Sequence, residues 1–301
     1  MRKTIITILT LVLFSTLCFA GGSSEATLRV GSKNFTEQYV MSEMISLMLE
    51  DAGFNVNKNF GMSSFAVRSA LETNQIDLYA DYTGTGWTAY LEHDDQINDP
   101  VELFERVQAE DAAENDIVWL ERFNVNNTYA LAVSQEFAEE HDLQTLSDLA
   151  DLINSNPQEY TIALDYEFYE RPDGFFAMAD TYNMEADEGQ VRTMEIGLSY
   201  EAIESGDIDV AMVFSTDGKL RRYNLFVLED NRNFFPVYNL AVTVHADVLE
   251  EYPEIEEILS PLANTLTEEQ MTNMNYQVDA ENREPIDVAR EYLVEQGLIS
   301  E

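Results

Sequence analysis

Ala70-Leu71-Glu72-Thr73-Asn74-Gln75-Ile76-Asp77-Leu78 runs on to Tyr82-Thr83, and its pattern returns as Ala202-Ile203-Glu204-Ser205-Gly206-Asp207-Ile208-Asp209-Val210, running on to Phe214-Ser215. The offset from Tyr82 to Phe214 is 132 residues. A second pair, Tyr129-Ala130-Leu131-Ala132-Val133-Ser134 and Tyr238-Asn239-Leu240-Ala241-Val242-Thr243, lies 109 residues apart. The repetition implies two lobes of similar build, each supplying aromatic residues at matching places to a cleft between them.

Outward from the first repeat, Leu28–Gly31 reads as a buried strand. A helix follows to Asp51, with Asn34 and Glu37 spaced as a capping box and Val40, Met41, Met44, Ile45, Met48 and Leu49 on its apolar side. Phe54–Phe60 is a strand, Ser63–Thr73 a helix and Ile76–Tyr79 a strand. That β-α-β-α-β order predicts an open α/β sheet with helices on its faces. Helices are expected at Glu102–Asn115, Gln144–Ile153, Asp173–Tyr182 and Tyr200–Glu204. Extended segments are expected at Ile117–Val125, Tyr129–Val133, Tyr160–Leu164, Met194–Leu198 and Asp209–Phe214. The tail reads as helical over Glu254–Ala263, Glu268–Asn275 and Pro285–Gly297. Tyr82 and Phe214 both follow strand-like runs, which places them at carboxyl ends of strands, where ligands of open α/β sheets lie.

At 301 residues with 45% apolar side chains, the chain has material for one large domain or two ordinary ones. Residues 1–20 read as a signal peptide: Arg2 and Lys3 are basic, Ile5–Leu17 is an apolar run too short to span a membrane, and Cys18-Phe19-Ala20 is a small-x-small cleavage site. Lipid attachment at Cys18 is the alternative, which Leu17 fits poorly. Both make the protein periplasmic or otherwise extracytoplasmic. Cys18 is the only cysteine, which excludes disulfides, thiol catalysis and cysteine metal sites. The net charge is −41, and −43 without Arg2 and Lys3. Nucleic acid and anionic membranes would be repelled by it. A solvated acidic surface, of the kind that high salt screens, accounts for the charge.

Four aromatics stand out by their paired positions: Tyr82, Tyr129, Phe214 and Tyr238. Each alone is ordinary core material. Together they suggest an electron-rich box, which holds quaternary ammonium groups by cation–π attraction at ~0.5–2 kcal/mol per ring. Beyond the leader only Lys33, Lys58 and Lys219 are lysines. Lys33 sits at a strand-to-helix turn, where it adds to the positive potential of a helix N-terminus and favours an anionic group; an ordinary surface lysine is the plain alternative. Arg171, in Arg171-Pro172-Asp173-Gly174, has the fork geometry to grip a carboxylate. A structural pair with a nearby acid such as Glu170 explains it equally well. Thr83-Gly84-Thr85-Gly86 reads as a small loop through which the Thr85 hydroxyl could approach a ligand. No nucleotide fingerprint, nucleophile elbow or metal-ligand spacing occurs, and His93, His141 and His245 are scattered. No cofactor or metal is expected.

On these motifs the chain resembles the substrate-binding proteins of osmoprotectant ABC importers, the glycine betaine/carnitine/choline class. The resemblance rests on Gly31-Ser32-Lys33-Asn34-Phe35-Thr36-Glu37-Gln38, Asp81-Tyr82-Thr83-Gly84-Thr85, Asn126-Asn127-Thr128-Tyr129, Arg171-Pro172-Asp173-Gly174, Phe214-Ser215-Thr216-Asp217-Gly218, Pro236-Val237-Tyr238-Asn239 and Asn275-Tyr276-Gln277-Val278-Asp279. It implies a two-lobe, type II-like periplasmic-binding fold that closes on ligand, with lobe 1 at 27–125 and 239–301 and lobe 2 at 126–238. It further implies an aromatic box of Tyr82, Tyr129, Phe214 and Tyr238. Lys33, Arg171 and Thr85 match positions that hold a ligand carboxylate, with Gln38 a weaker member. Some members of the family carry Tyr where this chain has Phe214, so a hydroxyl is missing here.

The expectation is a non-enzymatic receptor that delivers a quaternary-ammonium osmolyte to an ABC permease. Lys33 and Arg171 tilt it towards betaine-like zwitterions over choline. The alternatives are the same fold holding an amino acid or ectoine-like solute, and an extracellular enzyme with paired carboxylates. Nothing in the sequence picks out such a pair.

Overall fold

The computed structural model describes residues 26–300. The expected signal peptide and Cys18 lie outside the described residues. Among the described residues ten strands form two five-stranded sheets. They are β1 (Thr27–Lys33), β2 (Asn55–Met62), β3 (Leu78–Tyr82), β4 (Ile117–Asn126), β5 (Tyr129–Ser134), β6 (Ile162–Leu164), β7 (Val191–Thr193), β8 (Val210–Phe214), β9 (Leu225–Val227) and β10 (Asn239–His245). The orders are β2-β1-β3-β10-β4 and β7-β6-β8-β5-β9. In each sheet one strand runs antiparallel to both neighbours: β10 beside β3 and β4, β5 beside β8 and β9. The two sheets are therefore topological copies, with β3 matching β8 and β10 matching β5. Buried on both faces, the inner strands read as near-continuous apolar runs; every residue of β3, β8 and β10 is buried.

The repeat is legible in this topology with one adjustment. Tyr129 pairs directly with Phe214, whereas Tyr82 pairs with Leu240. Tyr238 lies two residues before Leu240. Side chains alternate along a strand, so a two-residue step keeps Tyr238 on the face that Leu240 uses.

The chain passes between the sheets at 126–129 and again before Asn239. The passages lie side by side: Asn127 N–H donates to the Tyr238 carbonyl at 3.1 Å and Tyr238 N–H to Asn126 Oδ1 at 2.8 Å. Helices Glu254–Thr265 and Glu268–Asp279 pack against β4, and Glu268–Asp279 and Pro285–Glu295 against the helix Thr36–Asp51.

Three local expectations are corrected. The helix after β1 starts at Thr36 with Phe35 as its N-cap and no side-chain cap, so Asn34 and Glu37 form no capping box; the Glu37 carboxylate is engaged elsewhere. Thr83–Gly86 is not an open loop but helical, a turn at Thr83–Thr85 leading into a π-helical stretch at Gly86–Tyr90. Its glycines are there for space. A Cβ on Gly84 would lie 2.6 Å from the Tyr238 ring and one on Gly86 2.8 Å from Trp119. Met194–Leu198 is not a strand: β7 ends at Thr193 and a helix occupies Ile196–Ser205. The apolar Met194, Ile196 and Leu198 imitate strand alternation, but a helix here lets Ser199, Tyr200 and Ile203 reach the core.

Candidate ligand-binding site

A cavity of about 120 Å³ opens between the carboxyl ends of the two sheets. Lys33 ends β1, Tyr82 ends β3 and Phe214 ends β8, and all three line it. Because β5 and β10 run antiparallel to β8 and β3, Tyr129 and Tyr238 at their starts reach the same edge and line it too. The four rings proposed from the repeat thus converge. Tyr129 lies 5.1 Å from Phe214 and 5.6 Å, edge-on, from Tyr238. A fifth ring, absent from the sequence-based set, joins them: Phe35 stacks 4.8 Å from Phe214 and 6.2 Å from Tyr82. Phe168 and Phe235 support Tyr129 from behind at 4.9 and 6.2 Å.

The cations are less free than the sequence suggests. Lys33 Nζ is buried and donates to Asp81 Oδ1 at 2.6 Å, and it lies 5.2 Å from the centre of the Tyr82 ring. Asp81 also accepts from Tyr79, from Tyr90 at 3.0 Å and from the Tyr82 N–H at 2.7 Å. Arg171 is buried but does not line the cavity. It donates to Asp173 through Nε at 2.9 Å and through Nη2, and to Glu167 at 3.4 Å, and it sits 5.6 Å from the Tyr129 ring. The acid partner is thus Asp173, not Glu170. Gln38 also stands behind the wall, donating to Tyr82 Oη at 3.2 Å and accepting from Lys33 N–H at 3.3 Å. Thr85 lines the cavity, and its hydroxyl has no partner among the described residues.

Acids complete the wall: Asp165, Glu167 and Glu195 line the cavity. Burial pushes the Asp165 carboxyl up to about 6, with Glu167 and Glu195 adding to the rise and the Phe168 N–H and Arg171 opposing it. Asn127 lines the cavity as well. Its Nδ2 donates to Glu37 at 3.0 Å, which assigns the other amide atom as oxygen. That Oδ1 is buried and without a partner among the described residues. Phe35, Asn127 and Glu37 all sit in the motifs quoted above. Spacing alone did not separate them from neighbours, because Phe35 precedes a helix and Glu37 mimics a cap. Among the described residues no cluster of His, Cys, Asp and Glu could hold a metal ion.

Residues 26–295 match the family described as the substrate-binding domain of ABC-type glycine betaine transport systems. This chain belongs to that family. It is accordingly a solute-binding component of an ABC importer and not an enzyme. The glycine-betaine-binding protein of Pseudomonas aeruginosa is 34% identical over 289 residues, covering 94% of this chain and 92% of that protein. The ergothioneine transport permease/ergothioneine-binding protein EgtU of Helicobacter pylori is 32% identical over 276 residues, covering 91% of this chain and 48% of that longer protein. Among solved structures, a glycine betaine/carnitine/choline ABC transporter protein aligns with TM-score 0.71 and 28% identity, over 91% of this chain and 100% of that chain. The two-sheet architecture of this substrate-binding domain is that of the periplasmic binding proteins. No helix among the described residues is long and apolar enough to cross a membrane.

Proposed function

We propose that this chain captures a small trimethylammonium osmolyte, glycine betaine or choline in type, and presents it to its permease outside the cytoplasmic membrane. The observation that carries the reading is the convergence of Tyr82, Tyr129, Phe214, Tyr238 and Phe35 on one cavity of about 120 Å³. That volume is well below the ~300–1,000 Å³ of sites for drug-sized molecules. Ring faces attract a cation and bury its methyl groups; each contributes ~0.5–2 kcal/mol. In this reading lobe 1 comprises 27–125 and 239–301 and lobe 2 comprises 126–238, and a leader over residues 1–20, cleaved after Ala20 or lipidated at Cys18, delivers the chain to the extracytoplasmic side.

The charge balance supports a net cation more than the sequence implied. Lys33 and Arg171 are each already neutralised by a carboxylate, with Glu167 a second partner of Arg171 at 3.4 Å, and Asp165 and Glu195 stand on the wall with no ion pair among the described residues. The unpaired Asn127 Oδ1 suits a ligand hydroxyl, which choline has and glycine betaine lacks. A betaine carboxylate must compete with Asp81 for Lys33 or settle on Thr85.

Titration calorimetry with choline, glycine betaine, carnitine and proline betaine tests this. Choline is expected to bind at least as tightly as glycine betaine, and Tyr129→Ala to weaken every trimethylammonium ligand roughly tenfold or more, the equivalent of one ring and its burial. No heat with any of the four ligands would sink the proposal.

A further inference from the structure

We infer that Glu37 is a positioning residue that ties the Tyr82 wall of the site to the closed juxtaposition of the two sheets, and that Gly218 is the position that lets them close. Glu37 is buried and has no cationic partner among the described residues. Its four hydrogen bonds come from four separate parts of the chain. Oε1 accepts from Tyr82 Oη at 2.7 Å, at the end of β3, and from Asn127 Nδ2 at 3.0 Å, in the passage between sheets. Oε2 accepts from Thr216 Oγ1 at 2.6 Å, just past β8 in the second sheet, and from Asn275 Nδ2 at 3.2 Å, on the helix Glu268–Asp279. A cage ring, a crossing strand, the second sheet and the carboxyl-terminal helix therefore share one acceptor. A buried carboxylate is costly unless its donors are all present, and these are all present only while the sheets stand as they do here. Burial holds the carboxyl above its ordinary range against the pull of those donors, as expected for a group whose solvation depends on them.

The seam continues next to Thr216. The Thr216 carbonyl accepts from Asn275 Nδ2 at 3.0 Å, and Arg222 donates to the carbonyls of Asp279 and Ala280 at 3.2 Å. Between these contacts, a Cβ built on Gly218 would lie 2.3 Å from Tyr276 Cα and N. Both are backbone atoms, so no side chain can swing aside. Gly218 itself has φ −61 and ψ −28, a helical conformation that alanine adopts without strain. The glycine is required by the approach of the opposite backbone, not by its own. A substitution there should oppose closure while leaving each sheet undisturbed.

The binding part of the test rests on the ligand reading above; the distance part does not. Nitroxide labels at Asn57→Cys and Glu188→Cys, exposed positions beside the two sheets, report their separation once Cys18, the only native cysteine, is replaced by serine. Thr216→Val removes the single donor from the second sheet to Glu37 and leaves the Tyr82, Asn127 and Asn275 bonds. It should shift the label distances to longer values, and raise the dissociation rate of choline about tenfold with the association rate changed less than about twofold. Gly218→Ala should abolish the short-distance population while the melting temperature of the free protein holds or rises, since alanine lowers the entropy of the unfolded chain. A lengthened distribution in either variant supports the latch. Distributions identical to wild type in both overturn it, and an unchanged choline off-rate in Thr216→Val also counts against it. If the wild type binds neither choline nor glycine betaine, the ligand reading alone fails, and the distances of the ligand-free proteins still decide the latch.

Discussion

Lys33 shows how a single side chain changes meaning once its neighbours are known. At a strand-to-helix turn in a strongly acidic chain it reads as an anion holder. In the fold its ammonium is 2.6 Å from Asp81, a residue 48 positions away that no local pattern connects to it. Removing one partner of a buried pair leaves the other uncompensated, at a cost of about 3–5 kcal/mol, so Lys33 substitutions report on stability before they report on ligand. Asp165 is the more useful probe of the site's charge. Burial lifts its carboxyl to about 6, and the charged groups around it are Glu167, Glu195 and Arg171. It is largely neutral at pH 5 and ionised at pH 7.5, and the ionised form attracts a cationic ligand. Choline affinity should therefore rise between those pH values by about 1 kcal/mol, roughly fivefold, for a screened charge at the cavity wall. Calorimetry across the range, with Asp165→Asn giving a flat profile, checks it; an equal slope in the variant would assign the effect to another group.

At the scale of elements, the long helices and most strands are legible, whereas β7, β9 and β10 carry no expectation of their own and short turns are not legible. The helix Thr36–Asp51 buries the six apolar residues read from its periodicity, because an amphipathic pattern over sixteen residues has few alternative solutions. Residues 194–198 read as a strand because five residues cannot distinguish strand alternation from the edge of a helix, whereas burial of Tyr200 and Ile203 fixes the helix. Thr83–Gly86 reads as a loop in the sequence, yet Gly84 belongs to a helical turn and clears room for Tyr238. Gly84→Ala should push its methyl group against a rigid ring. It is expected to destabilise the protein by about 1–3 kcal/mol and to weaken ligand binding by displacing one ring that lines the cavity. Thermal melts and calorimetry on the same preparation would show both losses; retention of wild-type affinity would mean that the Tyr238 ring does not contact the ligand.

Across the whole molecule, the site exists only between two sheets, so residues that join the sheets matter as much as those that face the cavity. Arg171 is one. It bridges Asp173 and Glu167 of its own segment to Thr88 of the first-sheet side at 3.4 Å and braces Tyr129. Were it a carboxylate clamp, Arg171→Ala would harm glycine betaine binding and spare choline. With its guanidinium already committed, the substitution should cost both ligands alike, by roughly tenfold each, the size of one lost charged hydrogen-bond set. A loss confined to carboxylate ligands, measured side by side, would restore the clamp.

The sequence by itself determined the two-lobe α/β architecture and the placement of Tyr82, Tyr129, Phe214 and Tyr238. It could do so because periodicity reports burial and a repeated pattern reports a repeated fold, each within a few residues of chain. The tertiary structure alone decided which charges are spent and where the sheets touch. Asp81 neutralises Lys33 across 48 positions, and Glu37 gathers Thr216 across 179 and Asn275 across 238. Hydrogen bonds and ion pairs act over a few ångströms of space, and nothing in the spacing of a chain records which distant residues folding will bring within that range.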